Sequence, residues 1–125
     1  MQTEFLKKAA ANLSVARYCY EHEYYDAAVN RAYYASFQAA IAALADKGLT
    51  HLKNDHKWVQ ANFNGVLIKR QKIYPSHLQS YMGDLLTFRN LSDYSVINLS
   101  KKVAREQLAH AEELVATIRK EIERP

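Results

Sequence analysis

The chain has little glycine and less proline: 3 Gly and 2 Pro in 125 residues, one of the prolines being the last residue. A β-sandwich or barrel needs a turn about every 8–12 residues, which so few breakers cannot supply. The single cysteine, Cys19, excludes an intrachain disulfide and fits a reducing compartment, so a cytoplasmic location is expected. No apolar run of about 18 residues is present, and the start Met1-Gln2-Thr3-Glu4 lacks a basic stretch followed by an apolar one. Neither a membrane span nor a secretory signal is therefore expected. Metal-ligand spacings are missing as well. The five histidines form no His-x-x-x-His pair, there is no Cys-x-x-Cys, and no Glu-x-x-His motif supports a di-iron bundle. Glycine-rich phosphate loops and a Gly-x-Ser-x-Gly elbow are absent too. Neither metal nor cofactor is expected.

What the sequence does have is the balance of an ordinary globular domain, 49% hydrophobic and 24% charged residues. Its length gives one domain spanning 1–125 as the expectation. Lys and Arg number 17 against 13 Asp and Glu, a net charge of +4 that permits nucleic-acid or acidic-protein partners without requiring them. The densest basic clusters, Lys69-Arg70-Gln71-Lys72 and Lys101-Lys102 with Arg105, read first as solvated loop and helix-end charges.

Apolar residues recur at close to 3.6 residues in five segments. The first runs from Thr3 to His22 with Leu6, Ala9, Leu13, Ala16 and Tyr20 on one face. The second runs from Asp26, an N-cap residue type, to Gly48, a C-cap type. A short third segment from Asn54 to Phe63 carries a stripe of His56, Val59, Phe63 and Val66. The fourth starts after Pro75 with Ser76 as N-cap and ends near Tyr94. The fifth begins after Ser100 and presents Ala104, Leu108, Ala111, Val115, Ile118 and Ile122. Short connections make successive long helices antiparallel, so the pattern predicts an all-α, up-and-down bundle of four long helices and one short one. From Ala27 to Ala45 the strongly polar residues are only Asn30, Arg31, Ser36 and Gln38. A helix apolar nearly all round must be covered on several sides, which predicts a central position and a homodimer to complete the cover.

Two arginines interrupt apolar stripes. Leu78, Met82 and Leu85 define an inward face whose continuation falls on Arg89 and then Asp93, and Arg31 stands among the alanines of the second segment. A buried guanidinium needs an acidic partner or a polar cleft. One reading is an internal network in which Arg31 pairs with Asp93. The other is a cationic cleft for phosphate, which suits arginine's planar donor fork. His56 falls on the inward face of the short segment and reads either as a satisfied core histidine or as a proton-transfer group with an ordinary pKa near 6.5. The 9 tyrosines, dense around Tyr24-Tyr25 and Tyr33-Tyr34, read as core residues whose hydroxyls reach the surface, with base stacking as the alternative.

The run Arg31-Ala32-Tyr33-Tyr34-Ala35-Ser36-Phe37, then His56 and Phe63, then Phe88-Arg89-Asn90-Leu91-Ser92-Asp93-Tyr94 before a last helix rich in Ala and Leu, resembles the HEPN domain family. The resemblance follows nearly the whole chain in order, and it is closest to the small free-standing prokaryotic members. It implies a helical bundle that dimerises and a toxin–antitoxin context with a minimal nucleotidyltransferase as the antitoxin partner. Active members of the family are metal-independent ribonucleases that use an Arg followed, after four to six intervening residues, by a His. Arg89 with Asn90 matches the first part of that motif, but Tyr94, Ser95 and Val96 fill the three places open to the histidine. The resemblance thus implies RNA or nucleotide binding through Arg89, Asn90 and His56. It also implies one of two further roles: weak metal-independent endoribonuclease activity from Arg89 and Tyr94, or a non-catalytic interaction module that pairs with the nucleotidyltransferase. Tyrosine, with an ordinary pKa near 10, is a poor base at neutral pH.

Overall fold

The computed structural model of the protein describes residues 1–51, 53 and 55–125. Within them lie five α-helices: α1 (Gln2–Glu21), α2 (Tyr25–Asp46), α3 (His56–Asn62), α4 (His77–Tyr94) and α5 (Lys101–Ile122). A π-helical segment, Phe63–Arg70, continues α3. No strand occurs among the described residues, and none of their helices is long and apolar enough to cross a membrane. Asn54, the expected first residue of the third segment, lies outside the described residues.

The four long helices follow the apolar periodicity closely. Leu6, Ala9, Leu13 and Ala16 are the buried residues of α1. Leu78, Met82 and Leu85 are those of α4, and Ala104, Leu108, Ala111, Val115 and Ile118 are among those of α5. The central position expected for α2 is what the structure holds: it packs against α1, α3, α4, α5 and the π-helical segment. Seven of its nine alanines, Ala28, Ala32, Ala35, Ala39, Ala40, Ala42 and Ala43, are fully buried. Small side chains let neighbouring backbones approach, so one helix touches five elements. That cover comes from within the chain, and the apolarity of α2 therefore calls for no second copy. The polar residues of α2 find separate outlets. Buried Ser36 donates to the Ala32 carbonyl (3.1 Å), Gln38 accepts from Asn12 of α1 (2.7 Å), Asn30 faces α4, and Arg31 is exposed.

Helix ends show which signals were used. Helix α5 starts after Ser100 as expected, and Ser100 Oγ caps it by accepting from the Val103 N–H (3.1 Å). Asp55 caps α3 through the Trp58 N–H (2.8 Å). Past the end of α2, Gly48 adopts φ +78, and the Leu49 and Gly48 N–H groups bond to the Leu44 and Ala45 carbonyls (2.9 and 3.0 Å). This is the Schellman arrangement that glycine favours. Asp26 does not cap α2, which starts one residue earlier at Tyr25. Its Oδ1 instead accepts from the Leu99 N–H (2.8 Å), tying the α4–α5 connection to the start of α2. Ser76 occupies the N-cap of α4 without a side-chain bond.

Candidate functional site

The side chains that gather into a site come from α2, α3 and α4. Tyr33 on α2 is fully buried, and its hydroxyl bonds to Nδ1 of His56, the first residue of α3. The His56 ring lies nearly parallel to Phe37 (4.3 Å, 7°) and to Tyr33 (5.4 Å, 12°). Gln60, one turn further along α3, donates to the Tyr33 oxygen (3.3 Å). If each buried donor is to find an acceptor, the chain runs in one direction: Gln60 amide to Tyr33 oxygen, Tyr33 O–H to His56 Nδ1. Neutral His56 then carries its proton on Nε2. Burial first, and the nearby Arg89 charge second, hold His56 below its ordinary pKa, against an opposing pull from Asp55. Burial pushes the Tyr33 phenol up, partly offset by the Gln60 bond and by Arg89. Both effects keep the pair neutral at neutral pH.

Arg89 projects from α4 onto the same aromatic surface. Its guanidinium carbon lies 5.7 Å from the Tyr33 ring centre and 5.4 Å from that of Tyr34. Cation–π attraction of this kind strengthens as water is excluded, and the Arg89 side chain is only 17% exposed. Nη2 donates to the Tyr34 hydroxyl (3.0 Å), and Nη1 to Asn90 Oδ1 (3.4 Å). Nε sits 3.1 Å from Asp93 Oδ2, off the N–H axis, so this contact is an ion pair rather than an aligned hydrogen bond. Asp93, at i+4, shares the helix face of Arg89 and also accepts from Asn30 Nδ2 (3.3 and 3.5 Å).

The structure corrects two expectations. The ion pair expected between Arg31 and Asp93 is absent: Arg31 is exposed on α2, and Asp93 is held by Arg89 and Asn30. Adjacent residues on a helix differ by about 100° in direction, and α2 turns Asn30 rather than Arg31 towards α4. Tyr94 also stands apart from the cluster. α4 ends at Tyr94 as expected, but it stays regular to that point, which leaves Tyr94 about 140° around the axis from Arg89. The Tyr94 side chain is 78% exposed and lines a shallow depression with Thr87, Asn90, Leu91 and Ser95. Arg89, Asn90 and His56 are thus neighbours in one cluster, whereas Tyr94 is not. The sequence pattern singles out Tyr34 only as half of the Tyr33-Tyr34 pair, and it does not mark Asn30 and Gln60 as site residues at all.

A helical bundle whose aromatic second helix cradles an arginine of the fourth defines a recognisable class. The HEPN domain family profile matches residues 2–122, and the chain belongs to that family. A protein of Methanocaldococcus jannaschii named "Putative toxin MJ0142" is 30% identical to it over 107 residues, covering 86% of this chain and 71% of that protein.

Proposed function

We propose that this is a toxin-like HEPN protein of the cytoplasm that binds RNA or a nucleotide through its phosphate at Arg89. The observation that carries the reading is the posture of Arg89: a mostly buried guanidinium, held over the rings of Tyr33 and Tyr34 and near enough to a neutral His56 for its charge to act on that ring. Such a preordered fork loses little entropy on meeting a phosphate and offers bidentate donors. His56 Nε2–H adds a neutral donor, and Asn90 extends the polar rim. Support for the toxin-like role comes from the family and from the name of the archaeal relative. Cleavage is the weaker part of the reading, because Tyr94 is remote from Arg89 and the accepting nitrogen of His56 is occupied by Tyr33.

The test is fluorescence anisotropy with a labelled oligoribonucleotide, run beside an RNA cleavage assay in EDTA. Wild type should bind with an affinity that falls as salt rises, and Arg89→Ala should lose at least about tenfold. Absence of binding by the wild type would sink the proposal.

The second reading is a non-catalytic module that pairs with a minimal nucleotidyltransferase antitoxin, or with a second copy of itself. It is favoured by the exposed apolar side chains at the end of α4 and in the following connection: Leu91, Tyr94, Val96 (99% exposed) and Ile97. Light scattering at micromolar concentration tests the homodimer, and co-purification with a co-expressed nucleotidyltransferase tests the pairing.

A further inference from the structure

The charges around Arg89 nearly cancel before any ligand arrives. Asp93 lies 3.1 Å from Nε and is fixed on its other side by Asn30. His56 is the remaining titratable ring in the cluster beside the tyrosines, and burial favours its neutral form. The guanidinium has five N–H groups. Nε faces Asp93, one Nη2 hydrogen serves Tyr34, and one Nη1 hydrogen serves Asn90. Two N–H groups are left for a ligand, and the carboxylate stands within ion-pair distance of the same guanidinium.

An incoming anion therefore meets a small donor set and a fixed negative charge. An internal phosphodiester carries one negative charge and presents two unesterified oxygens, which two N–H groups can serve. A terminal phosphate carries about −1.5 to −2 at neutral pH and presents three acceptor oxygens. Its second charge would be repelled by Asp93 in a partly desolvated site, and its third oxygen would lack an Arg89 donor. From this geometry we infer that Asp93 is a specificity-determining residue: it makes the Arg89 site select the internal phosphodiester of RNA over a terminal phosphate or a free mononucleotide. The inference rests on the anion-binding reading of Arg89 above and narrows its ligand from RNA or nucleotide to RNA backbone.

The experiment is a competition assay on the intact protein. The probe is a labelled octaribonucleotide with hydroxyls at both ends, and the competitors are adenosine monophosphate and inorganic phosphate. Wild type should bind the probe, and neither competitor should displace it at concentrations where the unlabelled octamer does. Asp93→Asn keeps the shape and removes the charge. It should tighten adenosine monophosphate binding by about tenfold and the octamer by clearly less. Asp93→Ala, checked by thermal melting alongside Asp93→Asn, should change the preference in the same direction.

If adenosine monophosphate displaces the probe from wild type as readily as the octamer does, the selectivity is refuted without needing either variant. If both variants bind the probe and the mononucleotide more weakly, Asp93 only positions Arg89 and the inference fails while the anion site stands. If wild type binds neither ligand, the functional reading itself fails.

Discussion

The rings of Tyr33 and His56 are offset and nearly parallel, their centres 5.4 Å apart and their planes 12° from parallel, with the Tyr33 hydroxyl bonded to His56 Nδ1. This contact joins the central helix to α3. It also decides which nitrogen of the neutral His56 ring carries the proton. The hydroxyl is buried and serves two partners, so its removal strands the imidazole Nδ1 and the Gln60 amide together.

Tyr33→Phe should therefore destabilise the protein by about 1–3 kcal/mol, the range for leaving buried polar groups unpaired. Chemical denaturation would show a lower midpoint at unchanged slope. A melting temperature equal to that of wild type would mean that the hydroxyl is replaced by water at no cost.

The same pair sets a pH dependence. His56 has its pKa lowered by folding, so between the folded value and about 6.5 the unfolded chain binds more protons than the native one. Stability contributed by neutral His56 is complete above about pH 6.5. It is lost as pH falls through that value towards the folded pKa. The melting temperature should drop on acidification from about pH 7.5 to about pH 5, and His56→Gln should make the drop shallower. An unaltered slope in that variant would place the effect on other groups.

Arg31 and Arg89 should behave oppositely on truncation. Arg31 is exposed and has no ion-pair partner among the described residues, so Arg31→Ala should shift stability by no more than about 0.5 kcal/mol. Arg89→Ala removes the cation from Tyr33, Tyr34 and Asp93. Asp93, with a side chain 31% exposed and still bonded to Asn30, can rehydrate. The loss should be about 1–2 kcal/mol rather than the cost of a fully buried orphan charge. Urea titrations of the two variants would distinguish them, and a larger loss for Arg31→Ala would reverse the assignment.

Legibility differed between elements for physical reasons. The long helices were readable because α1, α4 and α5 each bury a single stripe, as Leu78, Met82 and Leu85 do in α4, and because α2 is apolar nearly all round. Gly48 and Ser100 were readable because their roles are local: a left-handed residue after a helix and a hydroxyl over the next turn. The ion-pair partners were not. In α2, Asn30 and Arg31 are neighbouring polar residues in an apolar helix, and only its rotation against α4 decides which one meets Asp93. His56 and Arg89 could each be suspected alone. Their proximity depends on Tyr33 and Tyr34, whose aromatic faces carry no periodic signal of the contacts they make.

The segment after α3 was the other blind spot, and it yields the sharpest stability prediction. An α-helical stripe through His56, Val59 and Phe63 continues to Val66. From Phe63 to Arg70, however, the chain is π-helical, with hydrogen bonds reaching one residue further and more residues per turn. The inward pair after Phe63, Val66 and Leu67 in an α-helix, accordingly becomes Leu67 and Ile68. Leu67 is fully buried and Ile68 almost so, while Val66 is only partly buried at the edge of the core. The shift also lets the chain close back on itself, because the Leu67 carbonyl accepts from the Ile73 N–H (2.8 Å). Truncating a buried leucine leaves a cavity beside Phe63, so Leu67→Ala should cost about 2–5 kcal/mol. Val66→Ala removes two methyl groups from a half-wet position and should cost about 1 kcal/mol or less. Ile68 decides between the registers. In an α-helical continuation it would lie about 140° around the axis from Phe63, and Ile68→Ala would cost about 1 kcal/mol or less. In the π-helical turn it is buried, so Ile68→Ala should lower the denaturant midpoint as Leu67→Ala does.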